Sequence, residues 1–200
     1  MDIIIRMRFY RWFLVGRYKL KQQIKNKIKH HVPLKIILGS GNTTYDSWIS
    51  TDLPHFDILR EKDWAYFFSE NTIDNLLAEH VLEHLTEEDV ALVLNLSYKY
   101  LKNGGCFRIA VPDKNNPDEK YIEEVKPTGK NAKWGHLSFW NFKDFLKLKE
   151  SKKYDIYFVE YFNDEKKFIS KNYTNKNGTV QRRTNNGKEP SLIIDLIKTI

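Results

Sequence analysis

The sequence contains a single cysteine, Cys106, among its 200 residues. One thiol cannot form an intramolecular disulfide, and it cannot supply the thiolate set of a structural zinc site. Small secreted domains often depend on such cross-links, whereas this chain does without them. We therefore expect the protein in a reducing compartment, the cytoplasm.

Long apolar runs are also missing. No stretch approaches the ~20 apolar residues that a transmembrane helix needs, and no small-residue cleavage site follows an uncharged apolar stretch. The sequence thus predicts neither a membrane-spanning helix nor a signal peptide. Its 41% apolar and 14% aromatic residues are enough for the core of one folded domain.

Positive charge is concentrated at the N-terminus. Residues 1–35 hold ten Lys and Arg against one acidic residue, whereas the rest of the chain carries a net charge of −2. We expect a basic amphipathic helical segment over 1–33, followed by an α/β domain over 34–200. The segment could pack its aromatic side chains on the domain, lie on an anionic membrane through residues 1–30, or contact RNA. Nucleic acid is not the expected partner, because the domain itself is not basic.

Short apolar runs that alternate with helical stretches predict a parallel sheet with crossover helices. A first strand is expected at 34–38 and a second at 48–52, followed by others at 74–78 and 106–111. Segment 57–68 is ambiguous and is where a third strand would lie. Such sheets bind ligands beyond the carboxyl ends of their strands.

The remaining elements follow the same logic. Thr86 precedes an acidic first turn and is the predicted N-cap of a helix that Asn103-Gly104-Gly105 would end. A helix at 139–149 is followed by two strand-like runs, 154–162 and 191–198. The polar loop between them, 171–190, is expected to be mobile or to face a substrate.

A glycine-rich turn, Gly39-Ser40-Gly41-Asn42, follows the first strand directly. Glycines at such a point let the backbone turn tightly and leave its amides free for the polar groups of a ligand. Asp52 ends the next strand, where a carboxylate can accept hydrogen bonds from both hydroxyls of a ribose. A plain tight turn, and an aspartate that only stabilises the turn before Pro54, are the alternatives.

The segment after the fourth predicted strand reads Glu79-His80-Val81-Leu82-Glu83-His84 and contains the pattern H-x-x-E-H. On a helix, His80, Glu83 and His84 would share one face. Two imidazoles could then bind zinc while the carboxylate activates water, as in inverted zinc peptidases. No third protein ligand is evident in the sequence, so a border of the binding site and ordinary helix polarity remain the other interpretations.

Three further features could carry chemistry. Asp113 follows a strand and could line an acceptor pocket or serve only as a turn residue. His136 is the best-placed candidate general base, because a neutral imidazole accepts protons near pH 7, although a structural histidine is the common alternative. The pair Arg182-Arg183 could bind a phosphate or carboxylate, or remain solvated.

Several motifs in a fixed order resemble the class I S-adenosylmethionine-dependent methyltransferases, and among them the small predicted enzymes of bacterial polysaccharide gene clusters. The motifs are LGSGNTTYDSWISTD, FFSENTIDNLLAEHVLEHL, YLKNGGCFRIAVPD, GHLSFWNFKDF and SLIIDLIK. Together they cover roughly residues 34–198. The resemblance implies a Rossmann-like α/β fold, with a mostly parallel seven-stranded sheet, a reversed C-terminal hairpin and helices on both faces.

The resemblance also implies a site for S-adenosylmethionine. Its cofactor-binding residues would be Gly39, Ser40, Gly41, Asp52, Asp63 and Glu79. The glycines would face the methionine part, Asp52 the ribose and Asp63 the adenine, while Glu79 and His80 would border the site. Two departures bear on affinity, because Ile37 stands where many family members carry an acid for the cofactor's ammonium, and Thr43 replaces a third glycine.

The resulting hypothesis is methyl transfer from S-adenosylmethionine to an oxygen or nitrogen of a small-molecule or saccharide acceptor. Positioning and removal of the acceptor's proton are expected to dominate the chemistry, and no metal is required. The candidate catalytic residues are His136, His80 and Asp113. The alternatives are a non-catalytic methyltransferase-like protein at a membrane, such as the inner membrane face, or at a partner enzyme, and a zinc hydrolase that uses His80, Glu83 and His84.

Overall fold

A computed structural model describes residues 3–127, 135–149, 154–171 and 191–199. The elements in chain order are α1 (Ile3–Lys29), β1 (Lys35–Leu38), β2 (Trp48–Ser50), α2 (Glu61–Phe67), β3 (Ile73–Glu79), a 3₁₀ turn (Leu82–His84), α3 (Glu87–Tyr100), β4 (Leu101–Pro112), α4 (Glu119–Val125), α5 (Phe142–Lys149), β5 (Tyr154–Phe162), β6 (Phe168–Ser170) and β7 (Ser191–Lys198). The pair Arg182-Arg183, and with it most of the predicted polar loop, lies outside the described residues.

The seven strands form one mixed sheet in the order β2-β1-β3-β4-β7-β5-β6. The first four pair in parallel, whereas β7 is antiparallel to β4 and β5, and β6 is antiparallel to β5. Strands β1 to β5 therefore run in one direction, and β6 and β7 run in the other. This confirms the expected α/β fold with a seven-stranded sheet and a reversed C-terminal segment.

The predicted third strand is wrong. Segment 57–68 contains helix α2 instead, in which Trp64 and Phe67 are three residues apart and share one buried face, while Phe68 directly follows the helix. These rings pack against Phe56 with centroid distances of 5.2 to 5.8 Å. The seventh strand is the short edge strand β6, which the sequence did not indicate.

Helix α3 begins as predicted. The hydroxyl of Thr86 accepts a hydrogen bond from the amide of Asp89 at 3.2 Å, which caps the helix. The helix ends earlier than expected, at Tyr100, and β4 follows at once. Gly104 and Gly105 are therefore strand residues. The predicted helix at 139–149 begins later than expected, at Phe142.

The sheet buries apolar side chains on both faces, as expected for strands between helices. Alternate residues of β1 point in opposite directions, so Ile36 and Leu38 join the larger cluster while Ile37 joins the smaller one. Between β4 and β7, Arg108 forms a bidentate ion pair with Asp195 at 2.6 and 2.7 Å.

Helix α1 is fastened to the domain through its second half. Leu20 and Ile24 are buried in the main core. Arg17 donates to the carbonyl of His55 at 2.7 Å and pairs with Asp63 at 3.1 Å. This is the packed arrangement considered for the N-terminal segment.

The first half of α1 keeps apolar side chains exposed, among them Tyr10, Trp12, Leu14 and Val15. Contact of this half with a membrane surface stays a prediction. Within the described ranges, none of the helices combines the length and the apolar character needed to cross a membrane.

Candidate functional site

The turn after β1 requires its two glycines. Gly39 and Gly41 have φ angles of +58° and +53°, in the left-handed region that favours glycine. A Cβ atom at Gly39 would lie 2.9 Å from both γ carbons of Val81, whereas no atom of the described residues lies within 4 Å of one at Gly41. Gly39 therefore allows the turn to approach the segment after β3, and Gly41 serves only the backbone conformation.

The rest of the turn is held by its own backbone. The amide of buried Ser40 donates to the carbonyl of Thr51 at 3.0 Å, and the amide of Thr43 donates to the carbonyl of Ser40 at 2.8 Å. Thr43 has no positive φ. The threonine that replaces a third glycine is thus compatible with the turn as it stands.

Asp52 joins this turn to the end of β2. Its Oδ2 accepts a hydrogen bond from the amide of Gly41 at 2.7 Å, and its Oδ1 accepts one from the amide of Leu53 at 2.7 Å. Each carboxylate oxygen has capacity for a second hydrogen bond. Asp52 can therefore hold the turn and still accept hydrogen bonds from a ligand with two adjacent hydroxyls.

A cavity of about 260 Å³ opens beside this carboxylate, beyond the carboxyl ends of β1 and β3. It is lined by Gly39, Asp52, Leu53, Phe56, Asp57, Ile58, Leu59, His80, Val81, His84 and Leu85. Apolar side chains predominate, with two carboxylates and two imidazoles among them. Leu53 is 68% exposed although it is a large apolar residue, so it offers free apolar surface directly beside Asp52.

A larger cavity of about 490 Å³ lies between α1 and β2. Its lining includes Gln23, Lys27 and Trp48 but neither Asp52 nor the turn glycines. The cavity of 260 Å³ is the one that three of the predicted site residues line: Gly39, Asp52 and His80.

His80 lies on the wall of that cavity in a left-handed conformation, with φ +55°. Its Nδ1 is 3.0 Å from Oε1 of Glu83, and its Nε2 is 3.1 Å from the hydroxyl oxygen of Ser191. Because an ionised carboxylate can only accept, Nδ1 carries the proton and Nε2 accepts from the serine hydroxyl. This arrangement is that of an imidazole base oriented by a carboxylate.

The zinc-peptidase arrangement considered from H-x-x-E-H is not formed. Residues 82–84 make a single 3₁₀ turn rather than part of an α-helix. His80 directs its Nδ1 to Glu83 and its Nε2 to Ser191, so both ring nitrogens are occupied.

Glu79 ends β3 next to the glycine turn. The parallel register pairs Leu38 with Ala78, so Glu79 follows in line with Gly39. Its side chain is buried, and Oε2 accepts a hydrogen bond from the hydroxyl of Tyr45 at 3.0 Å. Ile37 is buried in an apolar cluster and presents no polar group, whereas the end of the neighbouring strand β3 supplies the carboxylate of Glu79.

Asp63 does not face the cavity, which corrects the expected adenine contact. Its carboxylate pairs with Arg17 of α1 and accepts a hydrogen bond from the amide of Asp57 at 3.0 Å. Asp57 lies on the cavity wall in its place. The role that the structure gives Asp63 is to hold α1 and the loop before α2 together.

Asp113 is fully buried and is not among the cavity-lining residues, which corrects its expected place in an acceptor pocket. Its two oxygens accept hydrogen bonds from the amides of Phe162 and Asn115, at 2.7 and 2.8 Å. Burial raises the pKa of Asp113 to about 6, against the lowering effect of these two hydrogen bonds. The residue therefore connects β4 to β5.

His136 lies beside His84, with 4.9 Å between the ring centroids, but does not line the cavity. Its Nδ1 is 2.6 Å from the carbonyl oxygen of Val125. The structure therefore brings His80, rather than His136, to the cavity wall. Sequence reasoning assigned Glu83 only to zinc chemistry and missed its contact with His80, although the spacing of three residues was visible.

Neither a protein family model nor a curated protein sequence matches this chain. Solved structures do match. A methyltransferase from Bacillus halodurans described as putative aligns over 84% of this chain and 93% of its own, at 12% identity and a TM-score of 0.50. The CurJ carbon methyltransferase aligns over 84% of this chain and 49% of its own, at 10% identity and a TM-score of 0.51.

An S-adenosylmethionine-dependent methyltransferase from Archaeoglobus fulgidus aligns over 98% of this chain and 99% of its own, at 14% identity and a TM-score of 0.48. The likeness to the Bacillus halodurans and CurJ structures shows the fold. This chain therefore has the α/β fold of class I methyltransferases, in a version with α2 where a third strand was expected and with the edge strand β6.

Proposed function

We propose that this chain, with its methyltransferase fold, binds S-adenosylmethionine in the cavity beside Asp52 and transfers the methyl group to an oxygen or nitrogen of a small-molecule acceptor. The observation that carries the proposal is the contact between the Gly41 amide and the Asp52 carboxylate at the cavity wall. This contact brings the glycine turn and a carboxylate with remaining acceptor capacity together at one edge of the sheet, where such folds bind ligands.

The lining of the cavity fits the nucleoside part of the cofactor. Asp52 is placed to accept hydrogen bonds from the two ribose hydroxyls. Leu53, Phe56 and Ile58 supply apolar surface for the flat faces of an adenine ring, and the carboxylate of Asp57 lies on the same wall. A few polar groups in a mostly apolar wall are typical of small-molecule sites.

The amino-acid part of the cofactor would lie at the glycine turn. Gly39 lets this turn lie directly against Val81 on the cavity wall, where any side chain at position 39 would clash. Glu79, at the end of the neighbouring strand β3, supplies a second carboxylate and, in this proposal, attracts the ammonium group that many related enzymes bind with an acid at the position of Ile37. Opposite charges in a largely desolvated setting interact strongly enough for one carboxylate to matter.

When bound, S-adenosylmethionine supplies an electrophilic methyl group. The protein's part is then to position the acceptor in line with that group and to remove its proton. His80 is the residue proposed for proton removal, because Glu83 holds its Nδ1 proton and directs the lone pair of Nε2 towards Ser191. An acceptor hydroxyl would take the place of the serine hydroxyl at Nε2.

The class of acceptor molecule is proposed on different grounds. A saccharide acceptor, and a role in polysaccharide biosynthesis, follow only from the resemblance of the sequence motifs. Cytoplasmic localisation rests on the scarcity of cysteine, and Cys106 is a buried free thiol.

Isothermal titration of the purified protein with S-adenosylmethionine tests the proposal. Saturable heat is expected, with competition from adenosine, which carries the nucleoside alone, and weaker competition from methionine. Absence of heat at millimolar cofactor would reject the function.

A further inference from the structure

Three potential metal ligands meet beside the cavity. Glu83, His84 and His136 each offer one ligand atom, and these atoms lie within 4.8 Å of one another. They come from two segments more than fifty residues apart along the chain. From the sequence alone, His80 was the expected partner of Glu83 and His84 in such a cluster. In the structure, His136 takes that place.

The proximity of the two segments is fixed by backbone hydrogen bonds. The amides of Leu137 and Ser138 both donate to the carbonyl of Glu83, at 2.7 and 3.1 Å. The hydroxyl of Ser138 donates to the carbonyl of Leu82 at 3.1 Å. The segment that carries His136 is thus fastened to the 3₁₀ turn that carries Glu83 and His84.

Both imidazoles present a lone pair. A carbonyl oxygen can only accept, so Nδ1 of His136 must donate to the carbonyl of Val125 at 2.6 Å. Its neutral form then has the lone pair on Nε2. His84 is oriented in the same sense by a longer contact of 3.4 Å between Nδ1 and the carbonyl of Gly135. Metal-binding histidines are commonly held in this way, with the second nitrogen on a backbone carbonyl.

Glu83 provides independent support. Its side chain is 1% exposed, and Oε1 is engaged by His80. Oε2 is buried and accepts no hydrogen bond from the part of the chain that the structure describes. A buried carboxylate oxygen without a partner is costly, and a bound cation would remove that cost.

We propose that Oε2 of Glu83 and the Nε2 atoms of His84 and His136 bind one divalent transition-metal ion, with zinc as the natural candidate. Two histidines and one carboxylate form a known zinc ligand set that leaves a fourth position open. A tetrahedral zinc ion with bonds of about 2.0 Å separates its ligands by roughly 3.3 Å, so the side chains must close further. His84 is exposed and free to make that adjustment.

The location gives the ion a connection to the cavity. His84 lines the cavity, and Glu83 contacts both the proposed ion and His80. The proposed ion is thus connected to the cavity wall through His84 and to the proposed base His80 through Glu83. The metal site itself does not depend on the methyl-transfer proposal, because its residues are distinct from those that would hold the cofactor.

Cobalt binding tests the site. The full chain, stripped with a chelator, is titrated with Co²⁺, whose visible absorption reports tetrahedral nitrogen and oxygen ligands. One equivalent of bound Co²⁺ that Zn²⁺ displaces is expected. His136→Ala, His84→Ala and Glu83→Gln should each weaken binding at least ~10-fold, the scale seen when metal sites lose supporting groups.

His30→Ala is the matched control. His30 also has its Nδ1 on a backbone carbonyl, at 2.9 Å from that of Asn26, but it is exposed in the turn after α1 and belongs to no ligand cluster among the described residues. This variant should bind Co²⁺ as the unmodified protein does. Circular dichroism checks folding, and His84→Ala, which truncates an exposed side chain, keeps the test decisive if another variant fails to fold.

No Co²⁺ absorption with the folded unmodified protein would overturn the metal site. Equal binding by His84→Ala and His30→Ala would do the same. A failure here leaves S-adenosylmethionine binding untouched, so the two proposals are judged separately.

Discussion

The amide of Gly41 and the carboxylate Oδ2 of Asp52 are 2.7 Å apart. This hydrogen bond connects the turn after β1 to the residue that ends the neighbouring parallel segment. It explains why a glycine and an aspartate eleven positions apart act as one unit. The free hydrogen-bonding capacity of the carboxylate then faces the cavity, and the predictions below depend on that unit.

Asp52→Asn should weaken binding of S-adenosylmethionine and of 5′-methylthioadenosine alike. Both ligands carry the same ribose, and a hydrogen bond to a charged group contributes roughly 1.5–3 kcal/mol, or about tenfold or more in Kd. Titration calorimetry measures both constants. Asp46→Asn, an exposed position in the same loop, is the control and should change neither.

Glu79→Gln should affect the binding of the two ligands differently. S-adenosylmethionine carries an ammonium group that 5′-methylthioadenosine lacks, so only the former should bind more weakly, by about tenfold for a lost charged contact. Tyr45→Phe keeps the carboxylate and removes only the hydroxyl that donates to it. Equal weakening of both ligands by Glu79→Gln would show that Glu79 acts through the fold instead.

Gly39→Ala should destabilise the protein more than Gly41→Ala. Both force an L-residue into a left-handed conformation, at a cost of roughly 1–2 kcal/mol. Only Gly39→Ala adds a contact of 2.9 Å with Val81. Urea unfolding measures the difference, and Val81→Ala in the Gly39→Ala background should recover part of the loss. Equal free energies of unfolding for the two single variants would contradict the close approach.

Asp113 should lower the free energy of unfolding as the pH rises, which is the opposite of the usual effect of a carboxylate. Burial raises its pKa from 3.8 to about 6, so the folded state favours the protonated carboxyl. The resulting contribution to stability is complete at pH values below 3.8, the pKa of the unfolded state, and is lost as the pH rises through about 6, the pKa of the folded state. Its full extent is on the order of 3 kcal/mol.

Asp113→Asn cannot titrate and isolates this effect. The free energy of unfolding of the unmodified protein, minus that of the variant, should fall between about pH 4 and pH 7. Denaturant unfolding at several pH values measures it, with Asp46→Asn as an exposed control. A constant difference across this range would mean that Asp113 titrates normally.

Much of the fold was predictable because its signals are local. The runs that form β1, β3 and the second half of β4 are short and largely apolar, and Thr86 precedes three acidic residues, so these strands and the cap could be predicted. β6 was not, since three residues of an edge strand have no burial pattern. The helical spacing of the rings in α2 was present in the sequence but was outweighed by the expectation of a third strand.

The site was predictable where it depends on neighbouring strands. Gly41 and Asp52 meet because parallel strands end at the same edge. Asp63 and Asp113 were misjudged because their partners, Arg17 and Phe162, lie 46 and 49 residues away along the chain. No local sequence pattern shows that a carboxylate will be fully engaged by a distant partner. Only the folded structure therefore distinguishes a buried carboxylate that connects two elements from one that contacts a ligand.

Amide NMR tests the central claim most directly. In ¹H–¹⁵N spectra of the full chain, addition of S-adenosylmethionine should shift the resonances of Gly41 and Leu53, whose amides both donate to Asp52. Saturable shifts at these two amides would place the nucleoside in the cavity beside Asp52. Unchanged resonances there, or shifts confined to the cavity lined by Gln23 and Trp48, would contradict it.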